Sequence, residues 1–411
     1  MTGLGIGFGL RPQVCKWVSV RAIVIPPPSE YGLPMSGEHQ NRFQWLTTGS
    51  QAFEHALKVI GAARRYVSLE IYHFDAAGPG GAFLEALVSA AERGLRVRVL
   101  VDSFGSITLA DSFWRPLRDA GGEVRWFNPL HLHRFAFRNH RKLLVCDGRV
   151  GMIGGFNIAP DYVGDGVSRG WRDLGLEIRG PAVDVLVEGF EQTWSIAGFR
   201  HRRLPQLRRS RVRASIQRSE CELLLSGPGR NSNFILRQLL ADLDSASRVD
   251  IMVAYFLPPR RLRRAISRVA RRGGEVRMVM AGKTDISLSQ EAARSYYPAF
   301  LRAGVEIWEY QPQILHAKIF VVDDVVYVGS SNLDTRSLQI NYELMLRIHD
   351  RELAEEGRRI IEGDLRHSVR IKRDEWKLPR NLWAQIRRWW ARFILKQVDL
   401  FFARRQLKRL R

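Results

Sequence analysis

The feature that most constrains the fold is an internal repeat. In the first half, an apolar-periodic helix over 52–63 leads to Tyr66-Val-Ser-Leu-Glu-Ile-Tyr72, a strand by its β-branched and aromatic content. A second helix over 82–93 leads to a Val-rich strand over 95–102, and segments 117–127 and 142–145 follow. The second half repeats the order: helix 233–244, strand 249–255, basic helix 260–271, strand 275–280, then 301–310 and 317–322. Segments 117–127 and 301–310 both open Leu-Arg and carry Ala-Gly ahead of Glu, which marks duplication of one unit. Strands alternating with helices predict an α/β fold with helices on the sheet faces.

The repeat divides the 411 residues into a tail (1–43), a first unit (44–199), a basic linker (200–217), a second unit (218–350) and a C-terminal basic amphipathic region (351–411). A hydrophobic content of 45% is enough for two cores and argues against global disorder. Lys and Arg number 64 against 42 acidic residues, a net charge of +22. Such an excess repels itself and calls for an anionic partner: nucleic acid, anionic lipid or a phosphorylated substrate. Three widely spaced cysteines (Cys15, Cys146, Cys221) without a CxxC argue against a disulfide framework or zinc finger and fit a reducing cytoplasm. No apolar run approaches the roughly 20 residues of a spanning helix. The Gly- and Pro-rich stretch 1–28 lacks a signal-peptide pattern and reads as a flexible tail.

Each half carries one short motif at the same place in the repeat. His140-Arg-Lys142 with Asp147, and His316-Ala-Lys318 with Asp323, both spell His-x-Lys-x-x-x-x-Asp. Each is followed by a turn and an asparagine: Gly154-Gly155-Phe-Asn157 and Gly329-Ser330-Ser-Asn332. On a strand, residues two apart share a face, so each His and its Lys point the same way. Asp147 and Asp323 lie at an odd offset in a turn, which favours a structural or supporting role over contact with substrate. If the halves pack face to face, two His–Lys pairs and two asparagines converge into a phosphate site. Lysines neutralise the non-bridging oxygens, asparagines donate to them, one imidazole attacks phosphorus and the other protonates the leaving oxygen. With two lysines supplying the positive charge, no metal and no cofactor are expected. A histidine nucleophile needs a carboxylate on its other ring nitrogen, and Asp173 and Glu343 stand at matching positions to supply one. His131, His133 and His140 lack the cysteine or acidic companions of a metal site.

The doubled motif resembles the phospholipase D superfamily from about Gln44 to Ile348, and within it the bacterial cardiolipin synthases. The residues that carry the resemblance are Asn139-His-Arg-Lys142, Gly154-Gly-Phe-Asn-Ile158, Trp171-Arg-Asp173, Ser226-Gly-Pro228 and the string Gly329 to Leu338 with Asn341 and Glu343. The resemblance implies two tandem phospholipase D-like α/β units, with mixed sheets flanked by helices and a pseudo-twofold between them. It also implies His140, Lys142, Asp147, His316, Lys318 and Asp323 as the catalytic set, supported by Asn157, Asn332, Ser330, Asp173 and Glu343. The first motif departs at Gly155, which leaves its phosphate turn without the hydroxyl that Ser330 brings to the second.

By the same resemblance, a phosphatidyl group passes from phosphatidylglycerol or phosphatidylethanolamine to a histidine, then to the glycerol hydroxyl of a second phosphatidylglycerol. His140 is the implied nucleophile and His316 the acid/base. The absence of two N-terminal membrane helices implies the shorter, peripheral subtype, on the cytoplasmic face of the cell membrane. Segment 381–396, with apolar residues at Leu382, Ile386, Trp389, Trp390, Phe393 and Ile394 and arginines mainly off that face, suits the interface of an anionic bilayer. A lipid hydrolase, a nuclease and an inactive membrane scaffold are the competing readings. The Trp-rich tail and the synthase-like strings weigh against nucleic acid, and the two intact motifs weigh against an inactive chain.

Overall fold

The computed structural model describes residues 40–128, 137–197, 215–218, 220–228, 233–374 and 376. The N-terminal tail as far as residue 39, His131 and His133, most of the basic linker and the amphipathic segment 381–396 lie outside the described residues.

Among the described residues, sixteen strands fall into two mixed sheets. The first holds β1 (Arg42–Leu46), β2 (Tyr66–Ile71), β3 (Arg96–Asp102), β4 (Glu123–Phe127), β5 (Leu143–Cys146), β6 (Val150–Gly154) and β7 (Gly175–Arg179) in the order β1-β7-β6-β5-β2-β3-β4. The second holds β8 (Ser215–Arg218), β9 (Cys221–Ser226), β10 (Arg248–Val253), β11 (Glu275–Ala281), β12 (Glu306–Tyr310), β13 (Lys318–Val322), β14 (Val325–Gly329), β15 (Glu343–His349) and β16 (Ser368–Ile371). Their order is β16-β12-β11-β10-β13-β14-β15-β9-β8. The run β1-β7-β6-β5-β2-β3-β4 therefore matches β9-β15-β14-β13-β10-β11-β12 strand for strand. In each sheet the three-strand side linked through helices is parallel and the hairpin side antiparallel. Crossover helices permit the first arrangement, and the tight turns at Asp147 and Asp323 impose the second.

Both sheets are covered on both faces. Helices Gly49–Ala62 and Pro79–Glu92 close the outer face of the first, and helices Phe234–Ser245 and Arg260–Arg271 that of the second. That is why β2, β5 and β13 read as nearly continuous apolar runs, buried at every position. Between the sheets lies a shared core that mixes the halves, with Leu143, Val145 and Leu176 against Leu223, Ile319 and Leu344. Helices Val183–Ala197 and Arg351–Leu365 belong to that core and each leans on the other half. A Cβ on Gly189 would stand 2.7 Å from Leu223, and one on Gly357 would stand 3.4 Å from Trp45.

The second unit reaches beyond the limits set by the repeat. Helix Arg351–Leu365 and β16, which pairs with β12, lie past residue 350, and β8 lies within the segment read as linker. The helix was obscured because two of its buried positions are charged. Arg358 is satisfied by Asp250, and Asp364 by Arg172. No helix among the described residues is long and apolar enough to cross a membrane.

Candidate active site

The His-x-Lys motifs enter the strands from the seam between the halves. His140 precedes β5 and His316 precedes β13, on extended segments that pair with the opposite half. The amide of His140 donates to the carbonyl of Tyr342 (2.9 Å), and the amide of Tyr342 donates to the carbonyl of Arg138 (2.9 Å). In the mirror arrangement, the amide of His316 donates to the Arg172 carbonyl (2.7 Å) and that of Arg172 to the Ile314 carbonyl (2.8 Å). Isolated bridges Asn139–Tyr342 and Arg172–Leu315 record the same exchange. Neither histidine is therefore positioned by its own half alone.

The carboxylates are exchanged in the same way. Nδ1 of His140 contacts Oε2 of Glu343 at 3.0 Å, and Nδ1 of His316 contacts Oδ2 of Asp173 at 2.6 Å. With those carboxylates ionised, each Nδ1 donates to its carboxylate and each Nε2 keeps its lone pair. Glu343 is held by the hydroxyl of Ser330 (2.6 Å) and the amide of Asn341 (3.2 Å), and Asp173 by the amide of Leu174 (2.8 Å). Ser330 thus acts on Glu343, and the phosphate contact expected for its hydroxyl is replaced by this one. Its counterpart Gly155 has a steric reason: a Cβ there would lie 2.1 Å from Oδ1 of Asp173. The first half has a glycine because the aspartate fills that space.

Each lysine folds back on its histidine. Nζ of Lys142 donates to the His140 carbonyl (2.8 Å) and lies 5.1 Å from the Tyr72 ring centroid. Nζ of Lys318 donates to the His316 carbonyl and lies 2.8 Å from Nδ1 of His316, the same nitrogen that faces Asp173. Tyr72 packs its edge on His140 at 4.7 Å, while Tyr162 and Trp171 pack on His316 at 5.3 and 5.5 Å. Asn157 donates to the Tyr162 hydroxyl (2.7 Å) and accepts from the His73 amide (3.3 Å). Asn332 is buried, and its side-chain oxygen has no hydrogen-bond partner.

Burial governs the protonation of the site. It pushes His140 down to about 4, with Glu343 opposing and Lys142 adding to the fall. It also drives His316 well below the ordinary range, helped by Lys318, Lys142 and His140. These mutual effects place both His–Lys pairs in one electrostatic neighbourhood. Lys142 is pushed down to about 7 and Lys318 to about 8, again by burial, with the two carboxylates opposing. Asp173 is pushed up to about 7 by burial against the pull of Lys318. Burial would raise Glu343 too, but His140, Lys142 and Ser330 hold it below the usual range. The site is a buried pocket in which burial disfavours the charged forms of both imidazoles and both ammonium groups, and a bound phosphate would favour them.

Asp147 and Asp323, grouped with the catalytic residues by the motif, stand apart from this pocket. They lie at the far ends of β5 and β13, seven residues from the histidines, a separation of roughly 20 Å in extended chain. Asp147 adopts φ 58° and accepts from the amides of Arg64 (2.9 Å), Arg65 (2.7 Å) and Tyr66 (3.0 Å). Asp323 adopts φ 46° and accepts from Ser247 (3.0 Å) and Arg248 (2.8 Å). Both tie a hairpin turn to the start of the neighbouring strand. Sequence reasoning also passed over buried Arg141, which donates to the hydroxyl of Thr193 (2.6 Å) and the carbonyls of Glu343 (3.3 Å) and Ser226 (3.2 Å). It lies between the two motif residues of the first half and fastens that half to the second. Among the described residues, no group of three or more His, Cys, Asp or Glu side chains could hold a metal ion.

The chain that carries this duplicated His–Lys pocket on paired mixed sheets is similar to known proteins. A family profile described as "Cardiolipin synthase, PLD-like domain" matches residues 56–213 and 239–365. Cardiolipin synthase 1 of Bacillus anthracis is 32% identical over 345 residues, covering 80% of this chain and 67% of that protein. Cardiolipin synthase A of Pseudomonas aeruginosa is 32% identical over 352 residues, covering 83% and 70%. The phosphatidylserine synthase structure from Haemophilus influenzae superposes with a TM-score of 0.69 at 14% identity, over 88% of this chain and 94% of that one, and so shares the fold. The chain belongs to the cardiolipin synthase family of phospholipase D-like phosphatidyltransferases.

Proposed function

We propose that the chain condenses two phospholipids into cardiolipin, with phosphatidylglycerol as acceptor and phosphatidylglycerol or phosphatidylethanolamine as donor. The observation that carries this reading is the pair of imidazoles, each held at Nδ1 by the other half's carboxylate, so that Nε2 is the nitrogen left for chemistry, with the Tyr162 hydroxyl 3.5 Å from that of His316. In the first step, the Nε2 lone pair of one histidine attacks phosphorus. The bond to the head-alcohol oxygen breaks, and the other histidine, which takes up a proton on Nε2 when the anionic phosphate binds, gives that oxygen its proton. In the second step, that histidine, now neutral, takes the proton of the acceptor hydroxyl. The hydroxyl oxygen attacks phosphorus, the P–N bond breaks and the first histidine is restored. By family resemblance the first histidine is His140 and the second His316. Lys142, Lys318, Asn157 and Asn332 neutralise and hold the non-bridging oxygens. Asp173 and Glu343 orient the rings and stabilise the imidazolium. Asp147, Asp323 and Ser330 support these residues at one remove.

The net charge of +22 supports a peripheral site of action on an anionic membrane surface, at the cytoplasmic face. The test is incubation of the purified protein with labelled phosphatidylglycerol vesicles and, separately, with single-stranded DNA. Cardiolipin with released glycerol is the expected outcome. Phosphatidic acid alone would make the chain a hydrolase, and shortened DNA would make it a nuclease.

A further inference from the structure

The pseudo-twofold fails at the rim of the site, and the failure is charged. Two residues before His140 stands Arg138, and two before His316 stands Ile314. Four residues after Asn332 stands Arg336, and four after Asn157 stands Asp161. Two arginines, one from each half, therefore occur on one side of the pseudo-axis, with an isoleucine and an aspartate in their places on the other.

The backbone brings the two arginines together. The consecutive amides of Asn341 and Tyr342 donate to the carbonyls of Arg336 (3.0 Å) and Arg138 (2.9 Å). The guanidinium of Arg138 lies 3.8 Å over the Phe104 ring and donates to the Tyr72 hydroxyl at 3.4 Å. Tyr72 is the ring that packs on His140, so the charge sits beside the reacting centre. Nε of Arg138 is buried with no hydrogen-bond partner. The acid that draws on Arg138, Asp102, has its oxygens on the amides of Phe104, Gly105 and Asn139 at 3.0, 2.8 and 2.7 Å. Burial lowers Arg138 and Arg336 adds to the fall; Arg336 also acts on the Tyr72 phenol and lies in turn in the field of buried Asp334. Like charges gathered in a half-buried place are relieved by an anion, and guanidinium groups match phosphate oxygens two at a time.

We propose that Arg138 and Arg336 form a second phosphate subsite that holds the acceptor lipid's own phosphodiester. This rests on the transfer reading above. A phosphatidylglycerol acceptor carries that phosphodiester one glycerol away from its attacking hydroxyl, whereas water and simple alcohols carry none. The subsite thereby selects lipid over water as the acceptor. At the matching positions on the other side stand Ile314 and Asp161, neither of which attracts an anion.

The test is a partition experiment on wild type, Arg138→Gln, Arg336→Gln and the double variant. Each is given labelled phosphatidylglycerol vesicles with ethanol, so that cardiolipin and phosphatidylethanol form from one donor in one tube. Each single variant should lower the cardiolipin-to-phosphatidylethanol ratio roughly tenfold, the scale of a lost charge-assisted contact, and the double variant more. A ratio needs no correction for the fraction of folded enzyme. A second arm replaces lipid acceptor with soluble glycerophosphoglycerol or with glycerol. Wild type should prefer the first and the double variant should not, which assigns recognition to the phosphodiester and not to acyl chains. Added inorganic phosphate should lower the wild-type ratio and leave that of the double variant unchanged. A ratio unchanged in the double variant, with both products falling together or neither falling, overturns the subsite. Wild type that forms neither product overturns the transfer reading itself, and the subsite with it.

Discussion

The close approach of Gly155 to Asp173 makes a backbone position answerable for catalysis. In Gly155→Ala the new methyl would lie 2.1 Å from Oδ1 and 2.6 Å from Oδ2. Ordinary contact needs about 3.5 Å, so the carboxylate must withdraw by roughly 1.4 Å. Its bond to Nδ1 of His316 is 2.6 Å long, and that retreat carries it past hydrogen-bonding range. A hydrogen bond to a charged group is worth about 1.5–3 kcal/mol, which is roughly 10- to 150-fold in rate. The expected result is a fall of that size in kcat for phosphatidyl transfer to a soluble alcohol, with the thermal transition shifted by only a few degrees. Asp173→Asn, which adds no bulk, should fall at least as far, because an amide no longer fixes the tautomer of His316. Ser330→Gly, at the matching position of the other half, should be milder, since Asn341 still holds Glu343. Turnover in Gly155→Ala equal to wild type, in a folded protein, would refute the claim that Asp173 sets the state of His316.

His140→Ala and His316→Ala should each reduce turnover by more than about a thousandfold while leaving the circular dichroism spectrum intact, since one site needs both halves. Lys142 and Lys318, held down to about 7 and about 8, are charged below those values and neutral above them. The kcat/KM of the free enzyme should therefore fall as pH rises through that window, and Lys142→Arg should shift the fall upward; a flat profile would count against both. Asp147→Ala removes the acceptor for three amides at a left-handed position and should cost about 1–3 kcal/mol in a denaturant melt, with kcat of the folded fraction changed less than twofold.

The repeat was legible because strands covered on both faces betray themselves as apolar runs. The helix over 260–271 falls at the residues read from sequence, and β10, β11 and β13 fall within one or two of them. What escaped were elements whose burial depends on distant partners. The helix Arg351–Leu365 reads as a charged surface until Asp250 and Arg172 are seen opposite Arg358 and Asp364. β16, with the sequence Ser-Val-Arg-Ile, is a largely exposed edge strand with little pattern of its own. At the site, the residue types and positions of the His–Lys pairs and of Asp173 and Glu343 were readable from register within the repeat. The exchange of those carboxylates was not, since nothing local tells Glu343 that its histidine lies 203 residues upstream. The partner of Ser330 was hidden for the same reason: the supporting role read for its hydroxyl does not name the buried glutamate it holds.

The same exchange sets a clock on the enzyme during its synthesis. His140 leaves the ribosome long before Glu343, and at typical rates the intervening 203 residues take on the order of ten to forty seconds to make. Through that interval the first motif exists without its orienting carboxylate, without the Tyr342 carbonyl that receives its amide, and without the second lysine. A nascent chain, or one truncated before the second motif, can thus meet lipid without cutting it. Competence arrives only once the second half has been translated and has docked.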